Sequence, residues 1–161
     1  MSDGSALSPP SSTLVELLEV LTVGLPFCAF KLLFGAVLLT RVPVLGVFFM
    51  ALGAADVGVN TVNVVSLMVF RRRTLEACTL SLITRIVRRR SRFAFTWQEL
   101  GTSVDVLLSM GIVAAMIALG FIAALSPPLL VCWNAAVIFN VLGAGVARFG
   151  HSLHEHLLRR R

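Results

Sequence analysis

Residues 71–92 read RRRTLEACTLSLITRIVRRRSR, from Arg71 to Arg92, and hold eight of the chain's fourteen Lys and Arg residues. A long, mostly apolar block precedes this stretch and another follows it. Two apolar blocks joined by a dense basic bridge form a membrane pattern. Lys and Arg next to a span resist transfer across a bilayer, so the bridge sets which side is inside.

Composition agrees. The chain has 161 residues, of which 57% are hydrophobic and 14% charged, with a mean hydropathy of +0.91. Soluble domains are about 45–50% apolar and about 25% charged, so too few charges are present to cover a water-facing surface. The net charge of +6 lies beside apolar spans. That placement makes the bilayer and its anionic lipid headgroups the expected partners and argues against nucleic acid. The headgroup ligands expected are Arg71, Arg72, Arg73, Arg85, Arg88, Arg89, Arg90 and Arg92.

Working outward, the expected fold is an all-α integral membrane protein. Four transmembrane helices form two hairpins, joined by a basic amphipathic interfacial helix. A flexible polar N-terminus covers residues 1–12. It lacks Lys and Arg, unlike the positive start of a secretory signal, so the first apolar segment is expected to be retained. The first hairpin covers 13–70, the cytoplasmic bridge 71–95, the second hairpin 96–149, and a polar basic tail 150–161.

Local signals support these bounds. Thr13-Leu-Val-Glu16 and Thr96-Trp-Gln-Glu99 fit capping boxes, in which Thr and Glu side chains satisfy free N–H groups at a helix start. A kink is expected at Pro26, whose ring removes a helical N–H. Pro43 suits the first turn of the second helix, and Ser126-Pro-Pro128 turns the chain between the third helix (97–125) and the fourth (129–149). Within the bridge, Leu75, Leu80, Leu82, Ile83, Ile86 and Val87 share one side of a helical wheel. Arg73, Ser81, Thr84, Arg85 and Arg88 share the other, as in a helix lying in the headgroup plane. The bridge, Arg148 and the three C-terminal arginines carry twelve of the fourteen positive residues. Both termini are therefore expected in the cytoplasm, in the cell (inner) membrane, with both Pro turns outside.

The halves resemble one another. Gly35, Pro43, Leu45, Ala51 and Gly58 match Gly120, Pro128, Leu130, Ala136 and Gly143 at a constant offset. The charges do not follow: Lys31 aligns with Met116 and Asp56 with Val141. Small residues at Gly111, Ala114, Ala115 and Ala118, and again at Gly143, Ala144, Gly145 and Ala147, suit close helix approach.

Intramembrane polar residues are the functional candidates: Lys31, Asp56, Asn60, Asn63, Asp105 and Asn140. Each ionisable group costs about 2.5–3.5 kcal/mol on insertion scales, so partners are required. Lys31 and Asp56 lie within reach of one another and form the expected ion pair. Asp56, Asn60 and Asn63 fall on one narrow stripe with Gly53 beside it. Asp105 matches the depth of Asn140, so a hydrogen bond is expected there.

No metal or cofactor is expected. Cys28, Cys78 and Cys132 show no C-x-x-C spacing, Cys28 and Cys132 read as packing residues, and His151, His154 and His156 read as a solvated tail. No phosphate loop or nucleophile–base pair marks an enzyme. The leading expectation is a small membrane subunit or scaffold, working with a membrane protein partner or as a homo-oligomer. The alternative is an oligomeric channel or transporter using Asp56 and Asp105.

Overall fold

The computed structural model describes residues 10–75, 78–88 and 94–158. Among them every regular element is a helix and there is no strand. The elements are α1 (Pro10–Glu19), a π-helical turn (Val20–Gly24), α2 (Leu25–Leu39), α3 (Pro43–Phe70), α4 (Thr79–Arg88), α5 (Ala94–Ala118), a 3₁₀ turn (Phe121–Ala124) and α6 (Pro127–Leu158). Three stretches are long and apolar enough to cross a membrane: Thr13–Leu39, Pro43–Phe70 and Leu100–Ala118. The apolar stretch Pro127–Gly143 is shorter.

The helix boundaries differ from the expected ones for local reasons. α1 begins at Pro10, so Thr13 lies inside a helix; its hydroxyl sits 3.5 Å from the Arg71 carbonyl. Thr96 likewise lies inside α5, and the Thr96–Glu99 side chains fall outside the described residues. Pro26 does not break the first helix. The helix absorbs the missing N–H by widening just before it, and the Leu25 N–H bonds to the Val20 carbonyl five residues back. Gly120 takes a left-handed conformation (φ 67°) that ends the third long helix early, and the 3₁₀ turn follows. The backbone of α6 continues as helix through His151, His154 and His156 to Leu158.

α2 and α3 form a close antiparallel pair across the Thr40–Val42 turn. Gly35 and Gly46 set the distance, since a Cβ on Gly46 would lie 2.6 Å from the Leu39 nitrogen. α5 and α6 make no comparable pair. α5 packs on α2 and α4, and α6 packs on α1, the π-helical turn and α2. The first helix is thus the centre of the bundle. Phe30, Leu33, Ile112, Met116, Phe121 and Trp133 meet in its apolar core, with the Phe30 and Trp133 rings 5.2 Å apart. Cys132 is exposed on α6 and does not join that core.

The bridge departs furthest from expectation. After Phe70 the chain turns back along α3. Ser66 Oγ donates to the Arg72 carbonyl (2.9 Å), Asn63 Oδ1 accepts the Leu75 N–H (3.0 Å), and Asp56 Oδ1 accepts the Thr79 N–H (2.7 Å). From Ser66 to Asp56 is ten helical residues, about 15 Å. α4 then leads out again, packed along α5. Ser81, on the polar side of the wheel, is fully buried, and Ile83, on the apolar side, is 49% exposed. Leu75, Leu80 and Leu82 are half-buried.

Candidate functional site

Lys31 lies on α2, Asp56 on α3 and Asp105 on α5. Their relative exposures are 0%, 1% and 5%. Lys31 Nζ donates to Asp56 Oδ2 and to Asp105 Oδ1, each at 2.5 Å. The Lys31–Asp56 pair expected from the sequence is thus joined by a third member. Asp105 bonds to Lys31 and not to Asn140, which is half-buried on α6. α5 lies against α2, and this turns Asp105 toward the lysine.

Around this centre the polar stripe of α3 has a specific task. Asn60 Nδ2 donates to its own helix at the Asp56 carbonyl (3.0 Å) and lies 3.4 Å from Cys28 Sγ. Asn63 and Ser66 receive and give the bonds that hold the non-helical segment after Phe70. Backbone outside a helix needs such partners when buried. Ser66 escaped notice in the sequence. Its spacing of three from Asn63 was the available signal, since that spacing puts the two side chains on one helix face.

The start of α4 is capped twice. Asp56 takes the Thr79 N–H, placing a carboxylate at the positive end of the helix. The Cys78 N–H donates to Ser81 Oγ (3.2 Å), and the Ser81 N–H points back to Cys78 Sγ (3.5 Å). This is the reciprocal pattern of a capping box with Cys in place of Ser or Thr. Burial pushes the Cys78 thiol above its ordinary range, and it lies beside Asp105.

A cavity of about 120 Å³ runs up to the three charged groups. This is ample for several waters, since one needs about 10–15 Å³. Cys28, Lys31, Asp56, Asn60, Cys78 and Asp105 line it on one side, and Glu19 and Arg73 at the other. Arg73 donates to Glu19 Oε2 (2.8 Å) and to the Glu16 carbonyl (3.2 Å), and its Nε lies 3.5 Å from Glu16 Oε2. Glu16 and Glu19, which read as favourable acids at a helix start, clasp the returning segment instead. The widened turn Val20–Gly24 contributes to the cavity wall through Val20, Val23 and Gly24.

No family model, curated protein or solved structure matches this chain. The site therefore stands on its geometry. Of the arginines expected at headgroups, Arg71 and Arg72 are exposed and Arg73 is ion-paired. The side chains of Arg85 and Arg88, and all of Arg89, Arg90 and Arg92, lie outside the described residues. Among the described residues no group of three His, Cys, Asp or Glu side chains could hold a metal ion.

Proposed function

We propose that this protein is a four-span membrane protein that admits a proton or a small monovalent cation from its basic face to Lys31, Asp56 and Asp105. It then works, as an oligomer, as a channel or transporter. One observation carries the reading: a buried ammonium shared by two buried carboxylates at the inner end of a polar cavity. One ammonium and two carboxylates leave a single negative charge unbalanced. Burying it is costly, and a bound cation or proton removes the cost.

The surroundings support entry from one side. The cavity reaches toward Glu19 and Arg73, close to the basic bridge. Toward the other end of the same helices lie Leu33, Phe34, Phe49, Ile112 and Met116 of the apolar core, with the buried Ser109 hydroxyl one turn beyond Asp105. The bridge returns into the bundle as non-helical backbone, which membrane proteins tolerate where it is buried or lines a cavity. The expected topology fits this arrangement, with both termini and the bridge cytoplasmic and Arg71 and Arg72 at anionic headgroups.

Purified protein in liposomes loaded with a pH-sensitive or a Na⁺-sensitive dye tests the proposal. Under an imposed membrane potential, wild-type protein should dissipate a proton or Na⁺ gradient, and Asp105→Asn should fall to the rate of empty liposomes. Wild-type flux equal to that of empty liposomes overturns the reading.

A second reading, a scaffold for a membrane protein partner, draws on a separate observation. A Cβ added at Gly58, Gly111 or Gly145 meets nothing within 4 Å among the described residues. Small faces left open within the chain suit contact with another helix. Isolation of a stable partner from native membranes, lost on Gly111→Leu, supports that reading.

A further inference from the structure

The two aspartates carry the same charge and share one lysine, yet they are held differently. Both Asp56 oxygens are committed, Oδ2 to Lys31 and Oδ1 to the Thr79 N–H. The second bond also fixes where the returning segment ends and α4 begins. Asp105 Oδ1 takes Lys31, and the weak donor Cys78 lies beside the same carboxylate. Its side chain is 8% exposed against 2% for Asp56. Thr102 and Val106, either side of it on α5, line the cavity with it.

Resting on the transport reading, we infer that Asp105 is the carboxylate that takes the incoming positive charge, and that Asp56 is the fixed counter-ion of Lys31. The groups facing Asp105 are Lys31 and Cys28 from α2, Asp56 from α3, and Cys78 at the head of α4. Glu19 and Arg73 stand at the other end of the cavity. Where the ligand is a proton, a hydronium in the cavity gives its proton to an Asp105 oxygen and leaves as water. Asp105 becomes a neutral acid, and Lys31 keeps Asp56 as its one ionic partner. Where the ligand is an alkali cation, it sits against the Asp105 carboxylate and offsets the same charge.

A charge accepted at Asp105 leaves the Asp56–Thr79 bond at the α3–α4 junction in place, whereas one accepted at Asp56 loosens it. This is the physical reason for dividing the roles. Neutralising Asp105 permanently leaves a one-to-one Lys31–Asp56 pair, so Asp105→Asn should fold.

The experiment reads the carboxyl groups directly and not transport. Full-length protein in nanodiscs of phosphatidylcholine and phosphatidylglycerol is taken through acid steps and followed by infrared difference spectroscopy. Wild-type protein should gain a high-frequency C=O component of a buried protonated carboxyl, set apart from the solvated acids such as Glu16 and Glu19, that Asp105→Asn lacks and Asp56→Glu retains. A second series raises Na⁺ at each pH. A band midpoint moved to lower pH identifies an alkali cation competing at Asp105, and an unmoved midpoint identifies the proton alone. A buried-carboxyl component that survives in Asp105→Asn, or none in wild-type protein, overturns the assignment. The two readings fail separately. A band without liposome flux removes transport and leaves the site, whereas flux with the band unaffected by Asp105→Asn removes the assignment and leaves transport.

Discussion

The two long helical pairs have similar sequence patterns and are built differently. In the first, α2 and α3 lie backbone to backbone, with Gly35 under Met50 and Gly46 against Leu39. In the second, α5 and α6 part company and pack separately on the first helix and its neighbours. The glycine matched to Gly35 is Gly120, which makes a turn in open space with φ 67°. The residue matched to Gly58 is Gly143, which lies against Thr22. Lys31 has Met116 as its counterpart, and Met116 is fully buried in the apolar core. Matching small residues therefore gave no matching contacts. The first pair bears Lys31 and the doubly bonded Asp56, and the second pair lends one carboxylate.

Changing Lys31 should break this comparison most severely. Lys31→Met strands two buried carboxylates on different pairs, and losing one member of a buried ion pair costs about 3–5 kcal/mol. Chemical unfolding in mixed micelles, followed by helical circular dichroism, should show it as the least stable single variant.

Next comes the glycine contact. Gly46→Val places atoms against the Leu39 backbone, which cannot swing aside. Overpacking of this kind costs about 1–3 kcal/mol. Gly120→Ala meets only the strain of its positive φ, about 1 kcal/mol. Gly111→Ala faces open space and should leave unfolding unchanged. Equal losses at Gly46 and Gly111 in the same unfolding assay would erase the distinction between the pairs.

A smaller effect is expected at the cavity mouth. Arg73→Ala removes a partly exposed ion pair, and such pairs contribute about 0–1 kcal/mol. Its clearer sign should be faster labelling of Cys78 by a small water-soluble thiol reagent, with Cys132 as the reference thiol. An unchanged Cys78 rate would show that the Arg73–Glu19 contact does not restrict access.

Much of this was legible from residues alone. Ionisable groups in apolar helices need partners, so Lys31 and Asp56 could be joined before any coordinates. The third partner could not. Depth along a helix places Asp105 and Asn140 at one level, but only the packing of α5 on α2 decides which way Asp105 faces. The bridge was legible only in part. A helical wheel from Leu75 to Val87 separates polar from apolar residues without showing that Ser81 is buried within the bundle. The wheel also assumed a helix from Leu75, whereas α4 starts at Thr79, where Asp56 can cap it. The polar stripe Asp56, Asn60 and Asn63 is legible as one helix face, but its task is not. Much of its hydrogen-bonding serves the backbone that returns beside it.

The account rests on Lys31, Asp56 and Asp105 acting as one charged unit. The most direct measurement compares unfolding free energies of Lys31→Met, the double variant Lys31→Met/Asp56→Asn, and the triple variant that adds Asp105→Asn. Asn at 56 keeps an oxygen for the Thr79 N–H, so capping is preserved while charge is lost. The account predicts that the single change is worst, the double recovers part of the loss, and the triple recovers most of it. Losses that simply add, leaving the triple variant least stable, would contradict it.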